Sequence, residues 1–524
     1  MIHTAASLRG MVTAPHHLAA QAGLDILKRG GTAIEAAVAT AAALAVVYPH
    51  MNSIGGDSFW MVREPDGSVH GVSACGAAAQ GATLDLYKGH ARVPWRGPLA
   101  ANTVAGTVSG WEALLQRVAD PLPLEVLLEA AIHYAETGVV VTKGGADIAA
   151  AKDAELKDQY GYGAAFQSDN QPLKEGAILT QPALATTLKA LAARGLRDFY
   201  EGDLARAIAV DLGRAGSPVC GEDLRAHRAT TPVPLTTRLR GAQLYNMTPP
   251  TQGFASLLIL ALYDRLGVKG HDHFDHLHGL IEATKQAFLL RDQHIGDPAY
   301  MDFDAQALLS DAAALDALAA TIDRAQALPW PYEPQQGDTV WFGAIDAEGR
   351  AVSAIQSTYF EFGSGLVLPE TGIIWQNRGA SFRLVESGWN ALKPGRKPFH
   401  TLNPALAVFE DGRVMSYGTM GGEGQPQTQA AVFSRYNAGM HLQAAITAPR
   451  WLLGKTWGEE SVSLKLEGRF EVELIENLKK AGHQTEIVDD FTSMMGHAGA
   501  LVRHADGRIE GATDPRSDGG VAAW

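Results

Sequence analysis

Residues 337–346 read GDTVWFGAID, in which a threonine opens a predicted strand. A threonine hydroxyl is too weakly acidic to attack an amide unaided, but an N-terminal threonine has its own α-amine alongside as general base. That amine has a reference pKa of about 7.7–8.0, so much of it is neutral near physiological pH. Cleavage between Asp338 and Thr339 would expose such an N-terminus, which makes Thr339 the candidate nucleophile. A plain strand-opening threonine is the alternative.

The composition excludes several classes of partner. The 524 residues are 46% hydrophobic and 19% charged, which suits several core layers or two domains. The formal net charge of −14 argues against nucleic acid or an anionic membrane as partner, because such surfaces require basic patches. Cys75 and Cys220 give no disulfide framework, and no apolar signal core follows the first residues. We therefore expect a cytoplasmic protein.

Helix and hairpin signals alternate near the start of the chain. Residues 15–29 have helical spacing, and residues 32–35 have the spacing of a capping box before an alanine-rich run over residues 36–47. This run is shorter than the roughly 20 residues of a membrane span, so it predicts a buried helix. Residues 59–72 read as two strands around Asp-Gly. Three further hairpins are predicted at residues 340–356, 405–417 and 500–511. The pattern predicts an α+β fold with two antiparallel sheets between helical layers.

The middle of the chain, residues 122–327, is predicted to be mainly helical. Residues 271–278 contain four histidines, which invites a metal interpretation. However, they run into an amphipathic segment over residues 280–291, without HExxH spacing or a converging carboxylate. We therefore expect most of them to cap a helix or face solvent, and we expect no metal and no cofactor. The proline-containing residues 329–336 predict an exposed connector that leaves the bond before Thr339 accessible.

A glycine-rich segment follows the hairpin predicted at residues 405–417. Residues 418–424 read GTMGGEG. Glycines let main-chain amides approach a ligand closely, so the consecutive N–H groups of Gly421 and Gly422 could hold the oxyanion of a tetrahedral intermediate. A sharp turn without a ligand is the alternative. A dinucleotide-binding loop is not indicated, because no βαβ pattern surrounds the segment.

Taken together, the motifs resemble the γ-glutamyltransferase family of N-terminal nucleophile hydrolases over nearly the whole chain. Those in family order include residues 52–56, 105–108, 296–298, 351–353, 362–365, 448–450 and 514–517. The resemblance implies a four-layer αββα sandwich and a precursor that cuts itself before Thr339. The two fragments, residues 1–338 and 339–524, would form one intertwined fold. It also implies that Ser357 supports the Thr339 hydroxyl and that the Gly421 and Gly422 amides form the oxyanion hole.

The arginine and carboxylates with which γ-glutamyl enzymes hold an amino acid are missing. The family's arginine falls at Cys75, and its two aspartates before a phenylalanine are here Ala380 and Ser381. His400 and Thr401 replace the paired serines after Lys-Pro, Tyr359 replaces an asparagine, and the stretch that forms a lid is shorter. The resemblance therefore does not extend to γ-glutamyl transfer.

A different set of residues stands in their place. Arg378 lies where the family has an uncharged glutamine, and a fixed guanidinium near the nucleophile suits a short acid amide. Tyr359, Asn377, His400 and Thr401 complete the predicted substrate-binding set. Residues 376–379, 398–404 and 421–427 are similar to oxamate amidohydrolases of purine breakdown, and glutaryl-cephalosporin acylases share part of this set. The alternatives are that Arg378 forms a structural ion pair, His400 is a core histidine and Tyr359 only packs.

The leading hypothesis is hydrolysis of a small carboxylate-bearing amide, oxamate by resemblance, to ammonia and the corresponding acid. The expected partners are this small anionic amide and the two fragments of the precursor, with a dimer of two-fragment units as the assembly to test. γ-Glutamyl hydrolysis or transfer with a rebuilt pocket, and glutaryl-cephalosporin acylase activity, are alternative enzyme hypotheses. An uncleaved binding or scaffold protein is the non-enzyme alternative.

Overall fold

The computed structural model describes residues 3–330, 338–454 and 461–524, with only the main chain of Asp338. The strands are β1 Ala5–Ser7, β2 Gly10–Ala14, β3 Asp57–Arg63, β4 Val69–Ala74, β5 Val139–Val140, β6 Gln167–Ser168, β7 Gln171–Pro172, β8 Ile178–Leu179, β9 Leu235–Leu239, β10 Ala242–Asn246, β11 Asp338–Asp346, β12 Ala351–Tyr359, β13 Ala405–Phe409, β14 Val414–Thr419, β15 Trp451–Leu453, β16 Leu464–Glu467, β17 Thr485–Val488, β18 Ala498–Arg503, β19 Ile509–Thr513 and β20 Gly520–Ala523. The helices are α1 His17–Lys28, α2 Ala33–Val47, α3 Thr107–Leu115, α4 Leu124–Thr137, α5 Lys143–Leu156, α6 Tyr162–Phe166, α7 Pro182–Arg194, α8 Asp198–Glu201, α9 Asp203–Ala215, α10 Gly221–Ala226, α11 Gly253–Leu266, α12 Phe274–His294, α13 Ala305–Ser310, α14 Ala312–Ala320, α15 Gly424–Asn437, α16 Leu442–Thr447 and α17 Val472–Lys480.

Two large antiparallel sheets form the centre of the molecule. One has six strands in the order β20-β2-β11-β12-β3-β4, and the other has seven in the order β1-β19-β18-β14-β13-β10-β9. The strand that opens with the candidate nucleophile, β11, lies inside the six-stranded sheet between β2 and β12. Both edges of this strand are therefore paired from Gly343 to Ile345, which fixes its position.

The two sheets and the helices on their outer faces form four layers, and an apolar cluster lies between each pair of neighbouring layers. The cluster between the sheets contains Phe59, Trp341 and Ile355 from one sheet and Leu406 and Leu501 from the other. A second cluster packs the outer face of the six-stranded sheet against helices that include α1, α2 and α4. A third packs the outer face of the seven-stranded sheet against α11, α12 and α15. The predicted four-layer αββα sandwich is confirmed.

The buried helix α2 holds the far end of β11. The Thr32 side chain accepts from the Glu35 N–H while the Glu35 carboxylate accepts from the Thr32 N–H, which is the predicted capping box. Every residue of α2 is buried, as the sequence predicts. Asp346, at the end of β11, accepts a hydrogen bond from the Ala33 N–H at 2.9 Å. The strand that begins near the candidate nucleophile is thus tied at its other end to the start of this helix.

The indole of Trp341 fills the space between the sheets two residues after Thr339. A β-carbon at Gly418 or Gly499 would lie 2.2 Å or 2.4 Å from this ring, so glycine is required at both positions. The indole Nε1 donates to Ser353 Oγ at 3.0 Å. Residues far apart in the chain thus make room for one side chain that anchors β11.

The four predicted hairpins are confirmed, but the middle of the chain was predicted incompletely. The hairpin β9–β10 lies within the stretch expected to be helical and forms the edge of the seven-stranded sheet. Each of its strands has five residues, and burial alternates along both. So short a period-2 signal, without an Asp-Gly turn, is easily lost between long helices. The predicted connector at residues 329–336 lies mostly outside the described residues.

The histidine-rich segment also departs from its prediction. The helix α12 begins at Phe274, and its long buried face takes in His276 and His278, which are 0% and 1% exposed. His276 Nε2 pairs with Ser434 Oγ at 3.0 Å. The expectation that most of the four histidines cap the helix or face solvent is therefore wrong for these two, because the helix is covered along more of its length than its polar start indicates.

Candidate active site

Thr339 lies at an irregularity in the pairing of β11 with β12. The two strands pair regularly from Val340 to Ile345, and the register shifts between Asp338 and Val340, next to Thr339. Ser357 and Thr358 stand opposite Thr339 as the two-residue side of the bulge. Side chains alternate along a strand, so Thr339 shares with Trp341 the face that looks toward the second sheet. Thr339 is 0% exposed. The hydroxyl is therefore enclosed in protein.

The side chain of Gln425 contacts this hydroxyl. Gln425 lies in the first turn of α15, and its Nε2 donates to Thr339 Oγ1 at 3.3 Å. Its Oε1 accepts from Asn403 Nδ2 at 3.0 Å, and the same Nδ2 donates to the carbonyl of Thr401 at 2.9 Å. The N-terminus of α15 is therefore adjacent to the candidate nucleophile.

The predicted oxyanion loop joins β14 to α15. Gly421 and Gly422 have φ values of 118° and 52°, which a residue with a β-carbon adopts only under strain. The carbonyl of Gly422 accepts from Gln252 Nε2 at 2.7 Å, which fixes the loop. Within the described ranges, the N–H groups of Gly421 and Gly422 donate to no protein acceptor. Two free N–H groups at a helix N-terminus are suited to a negative charge.

Arg378 reaches the same region through two contacts. Its Nη1 donates to Thr401 Oγ1 at 3.1 Å, and its Cζ lies 3.5 Å from the centroid of the Tyr359 ring. Tyr359 is the register partner of Asp338, the residue before Thr339, and it has an uncommon positive φ of 84°. The predicted set of Thr339, Tyr359, Arg378 and Thr401 is thus brought together.

The other edge of the Arg378 guanidinium is unpaired. The side chain is 1% exposed, and Nε and Nη2 have no hydrogen-bond partner in the described part of the chain. These two N–H groups point the same way and match the two oxygens of a carboxylate. Each unsatisfied buried donor costs about 1–3 kcal/mol. Burial lowers the pKa of Arg378, although the charges of Tyr359 and Asp57 oppose this. Among the described side chains, Arg378 forms no ion pair with a carboxylate.

Asp57 and His400 form a buried pair beside Arg378. One Asp57 oxygen accepts from the Gly76 N–H at 3.1 Å, the Gly106 N–H at 3.1 Å and Gln376 Nε2 at 3.0 Å. His400 Nε2 lies 3.1 Å from the other oxygen, and the Leu402 N–H donates to its Nδ1 at 3.4 Å, so Nε2 carries the proton. Burial raises the pKa of Asp57 to about 7, against its hydrogen bonds and the Arg378 charge. Burial and the Arg378 charge lower the pKa of His400, which keeps the ring neutral.

Two predicted site residues, Asn377 and Ser357, contact the main chain. Asn377 donates from Nδ2 to the carbonyl of Trp95 at 2.8 Å and accepts on Oδ1 from the Phe360 N–H at 3.1 Å. Ser357 Oγ accepts from the Tyr359 N–H at 2.8 Å. Both side chains therefore shape the segments that carry Arg378 and Tyr359. Their predicted roles toward substrate and nucleophile stay predictions.

One buried cluster has the donor types of a metal site. His278 Nδ1, His483 Nε2 and a Glu282 oxygen lie within 4.8 Å of one another. However, His278 Nε2 pairs with the carbonyl of Asp323 at 2.8 Å, and its Nδ1 pairs with His483 Nε2 at 2.9 Å. Lys285 Nζ lies 2.6 Å from the Glu282 oxygen and already supplies a positive charge. We describe this as a hydrogen-bond cluster and assign no metal to it.

Sequence reasoning missed three residues of the site: Asp57, Asn403 and Gln425. Each lies within or directly beside a segment that the sequence marked as informative, but none has a side chain that by itself indicates chemistry. Gln425 and Thr339 are 86 residues apart, and Asp57 and His400 are 343 apart. The only sequence signals were the two glycines before Asp57 and the prolines directly after Asn403 and Gln425.

A threonine that opens an internal strand of an αββα sandwich, next to a glycine loop at a helix N-terminus, defines the class of N-terminal nucleophile hydrolases. The γ-glutamyltranspeptidase family model matches residues 19–524, and the chain belongs to this family. The predicted family and enzyme class are confirmed.

Named relatives cover almost the whole chain. An oxamate amidohydrolase proenzyme of Klebsiella pneumoniae is 53% identical over 99% of both chains. A glutathione hydrolase-like YwrD proenzyme of Bacillus subtilis is 42% identical over 97% of both chains. Among solved structures, a cephalosporin acylase from Bacillus halodurans has a TM-score of 0.91 at 34% identity and covers 100% of this chain and 97% of that one. Among the described residues, no helix is both long and apolar enough to cross a membrane.

Proposed function

We propose that this chain is a self-cleaving amidohydrolase for short amides that carry a carboxylate beside the scissile carbonyl, with oxamate as its substrate. The observation that carries the proposal is the unpaired, buried edge of the Arg378 guanidinium, which stacks on a tyrosine paired in register with Asp338. A substrate carboxylate bound there would satisfy both free donors. The 53% identical relative named for oxamate supports the same choice.

In the proposed reaction, the Thr339 hydroxyl first attacks the carbonyl of Asp338 and takes its acyl group as an ester, while the peptide bond breaks and the nitrogen takes the proton to become the α-amine. Water then hydrolyses this ester, which releases the Asp338 carboxylate and restores the hydroxyl. In turnover, Thr339 Oγ attacks the amide carbonyl while the amine takes the hydroxyl proton. The Gly421 and Gly422 amides hold the oxyanion, and Ser357 supports the hydroxyl. The ammonium of Thr339 then returns the proton to the departing ammonia. Water, activated by the same amine, hydrolyses the oxalyl ester to oxalate and restores the threonine.

The enclosure of the site favours a short substrate. Thr339, Tyr359, Arg378, His400 and Thr401 are all 3% exposed or less. We propose that a carboxylate held by Arg378 lies close to the carbonyl that Thr339 attacks, because Arg378 stacks on Tyr359, the register partner of Asp338. Oxamate places these two groups on adjacent carbons, whereas a glutaryl or γ-glutamyl amide separates them by a longer chain.

The precursor would yield fragments of residues 1–338 and 339–524 that stay together, because β2 of the larger fragment lies between β20 and β11 of the smaller one, and β3 of the larger fragment pairs with β12 of the smaller one. We propose that the enzyme acts in purine breakdown in the cytoplasm, and that two such units assemble as a dimer. Intact-mass measurement should give the two fragments, and sequencing of the smaller one should begin Thr-Val-Trp. A chain that stays whole in active material would end this proposal.

A substrate panel tests the choice of acyl group. We expect ammonia release from oxamate with a kcat/KM at least about a hundredfold above that for glutamine, glutaryl amides or glutathione, because oxamate has its carboxylate directly beside the scissile carbonyl and the site is enclosed. Turnover of glutathione with little from oxamate would instead favour the γ-glutamyl alternative. A preference for glutaryl amides would favour the acylase alternative.

The pH dependence of anion binding follows from Asp57. Its pKa is raised to about 7, so below that pH it is neutral and Arg378 gives the site a net positive charge. Above pH 7 its negative charge offsets that of Arg378. We therefore expect the inhibition constant of the product oxalate to rise about tenfold as pH increases through 7. Asp57→Asn should remove this step while leaving any change caused by the Thr339 amine, and an unchanged step in that variant would contradict the assignment.

A further inference from the structure

A series of hydrogen bonds leads from Asn403 through Gln425 to the hydroxyl oxygen of Thr339. We propose that Gln425 is a further catalytic residue, whose side-chain N–H donates to Thr339 Oγ and thereby directs the hydroxyl proton toward the α-amine. This inference rests on the proposed function, since it takes Thr339 as the nucleophile. The contact is 3.3 Å long, and both residues are 0% exposed. It exists in the uncleaved chain, where the α-amine is not yet free, so in self-cleavage it can act by stabilising the charge that develops on the hydroxyl oxygen.

The orientation of the Gln425 amide is set by a main-chain carbonyl. The carbonyl of Thr401 can only accept, so Asn403 must present Nδ2 to it, at 2.9 Å. The second hydrogen of the same Nδ2 then goes to Gln425 Oε1 at 3.0 Å. Asn246 Oδ1 accepts from the Met247 N–H at 2.8 Å, so Asn246 Nδ2 faces Asn403 Oδ1, at 3.5 Å, which agrees with this orientation. With its oxygen turned to Asn403, Gln425 has only its NH2 group to offer Thr339.

This direction matters for the chemistry of the hydroxyl. A hydroxyl oxygen has one proton and two lone pairs. If one lone pair accepts from Gln425, the proton must point elsewhere, and the α-amine is the acceptor that the reaction needs. The attack on the carbonyl then uses the second lone pair. As the proton leaves, the Gln425 N–H also stabilises the negative charge that develops on the oxygen, inside a site that excludes water.

Replacing the amide tests this role. In Gln425→Met the side chain keeps its length and loses the donor, so we expect kcat for oxamate to fall about a hundredfold, as for loss of one oxyanion donor, and KM to change by less than about threefold. Self-cleavage, followed by the intact mass over time, should slow to a similar degree. Gln427→Met is the matched control: Gln427 lies on the same helix, is equally buried, and contacts the main chain of Leu453 and Glu423. We expect it to lower stability while keeping kcat.

A second variant, Gln425→Glu, tests the same role even if Gln425→Met does not fold. Gln425→Glu keeps the shape but faces Thr339 with an acceptor, which would draw the hydroxyl proton away from the amine. Its charge, close to the amine, should raise the amine pKa and move the acidic limb of the kcat profile up by about one pH unit. That shift would show that position 425 lies close to the amine, while the loss of kcat at nearly constant KM in Gln425→Met distinguishes a catalytic glutamine from a structural one. Wild-type kcat in Gln425→Met, or an unmoved limb with wild-type kcat in Gln425→Glu, would overturn the inference.

Asn403 is the positioning residue that completes the test. Asn403→Asp has no N–H for Gln425, so the glutamine should turn over and present its oxygen to Thr339. We expect a loss of kcat similar to that in Gln425→Met, and no further loss when the two changes are combined. Additive losses would show that Asn403 does not act through Gln425. A wild-type chain not cut before Thr339 would end the proposed function instead, whatever these variants do.

Discussion

Replacing Thr339 by alanine leaves a single chain of 524 residues that releases no ammonia from oxamate. The same hydroxyl is proposed to break the bond after Asp338 and to attack the substrate, so both activities are lost together. The loss of kcat should be on the order of 10⁴-fold or more, because no other nucleophile would replace the hydroxyl. Intact mass and ammonia release on one purified sample measure both effects.

Thr339→Ser is the control for this experiment. Serine keeps the hydroxyl and, after cleavage, the α-amine, so we expect it to be processed and active at a lower rate. The thermal stability of the alanine variant should stay close to that of the wild type, because Val340 and Trp341 continue to anchor β11 in the core. Fragments of residues 1–338 and 339–524 from the alanine variant would show that another group makes the cut.

Local patterns predicted much of the fold. The capping box at residues 32–35 and the Asp-Gly turns each depend on a few neighbouring residues, and both are present in the structure. The hairpin β9–β10 has neither signal. Which hairpin joins which sheet was also not predictable, because that depends on contacts such as Trp341 with Gly418 and Gly499, which lie far apart in sequence.

The residues of the site likewise include some that the sequence could indicate and some that it could not. Thr339 and the two glycines could be proposed from residue type and position, and Arg378 from its place in the family resemblance, because each carries a recognisable chemistry. Asp57 and Gln425 could not. A carboxylate with an ordinary pKa near 3.8 is common, and only burial in the fold raises its pKa to about 7. A glutamine is equally common, and only the carbonyl of Thr401, acting through Asn403, determines which end of it faces the nucleophile.

The second large effect is expected at Arg378. Methionine at this position keeps much of the length and the contact with the Tyr359 ring, but it removes the charge and both free donors. We expect Arg378→Met to be processed normally, because Arg378 is not among the groups that act on the bond before Thr339. Its kcat/KM for oxamate should fall by about 10²–10⁴-fold, which corresponds to roughly 3–5 kcal/mol for breaking a buried charge pair.

The neutral analogue oxamide separates binding of the carboxylate from damage to the site, because it replaces the carboxylate by an amide and keeps the scissile carbonyl. The wild type should prefer oxamate by about a thousandfold, whereas Arg378→Met should treat the two substrates within about tenfold of each other. Arg378→Lys should recover only part of the preference, since an ammonium cannot donate two parallel hydrogen bonds from a planar group. If Arg378→Met lost activity equally toward oxamate and oxamide, Arg378 would support the site without binding the carboxylate. If it kept the full preference for oxamate, another group would have to hold that charge, and the unpaired guanidinium edge would no longer support oxamate as the substrate.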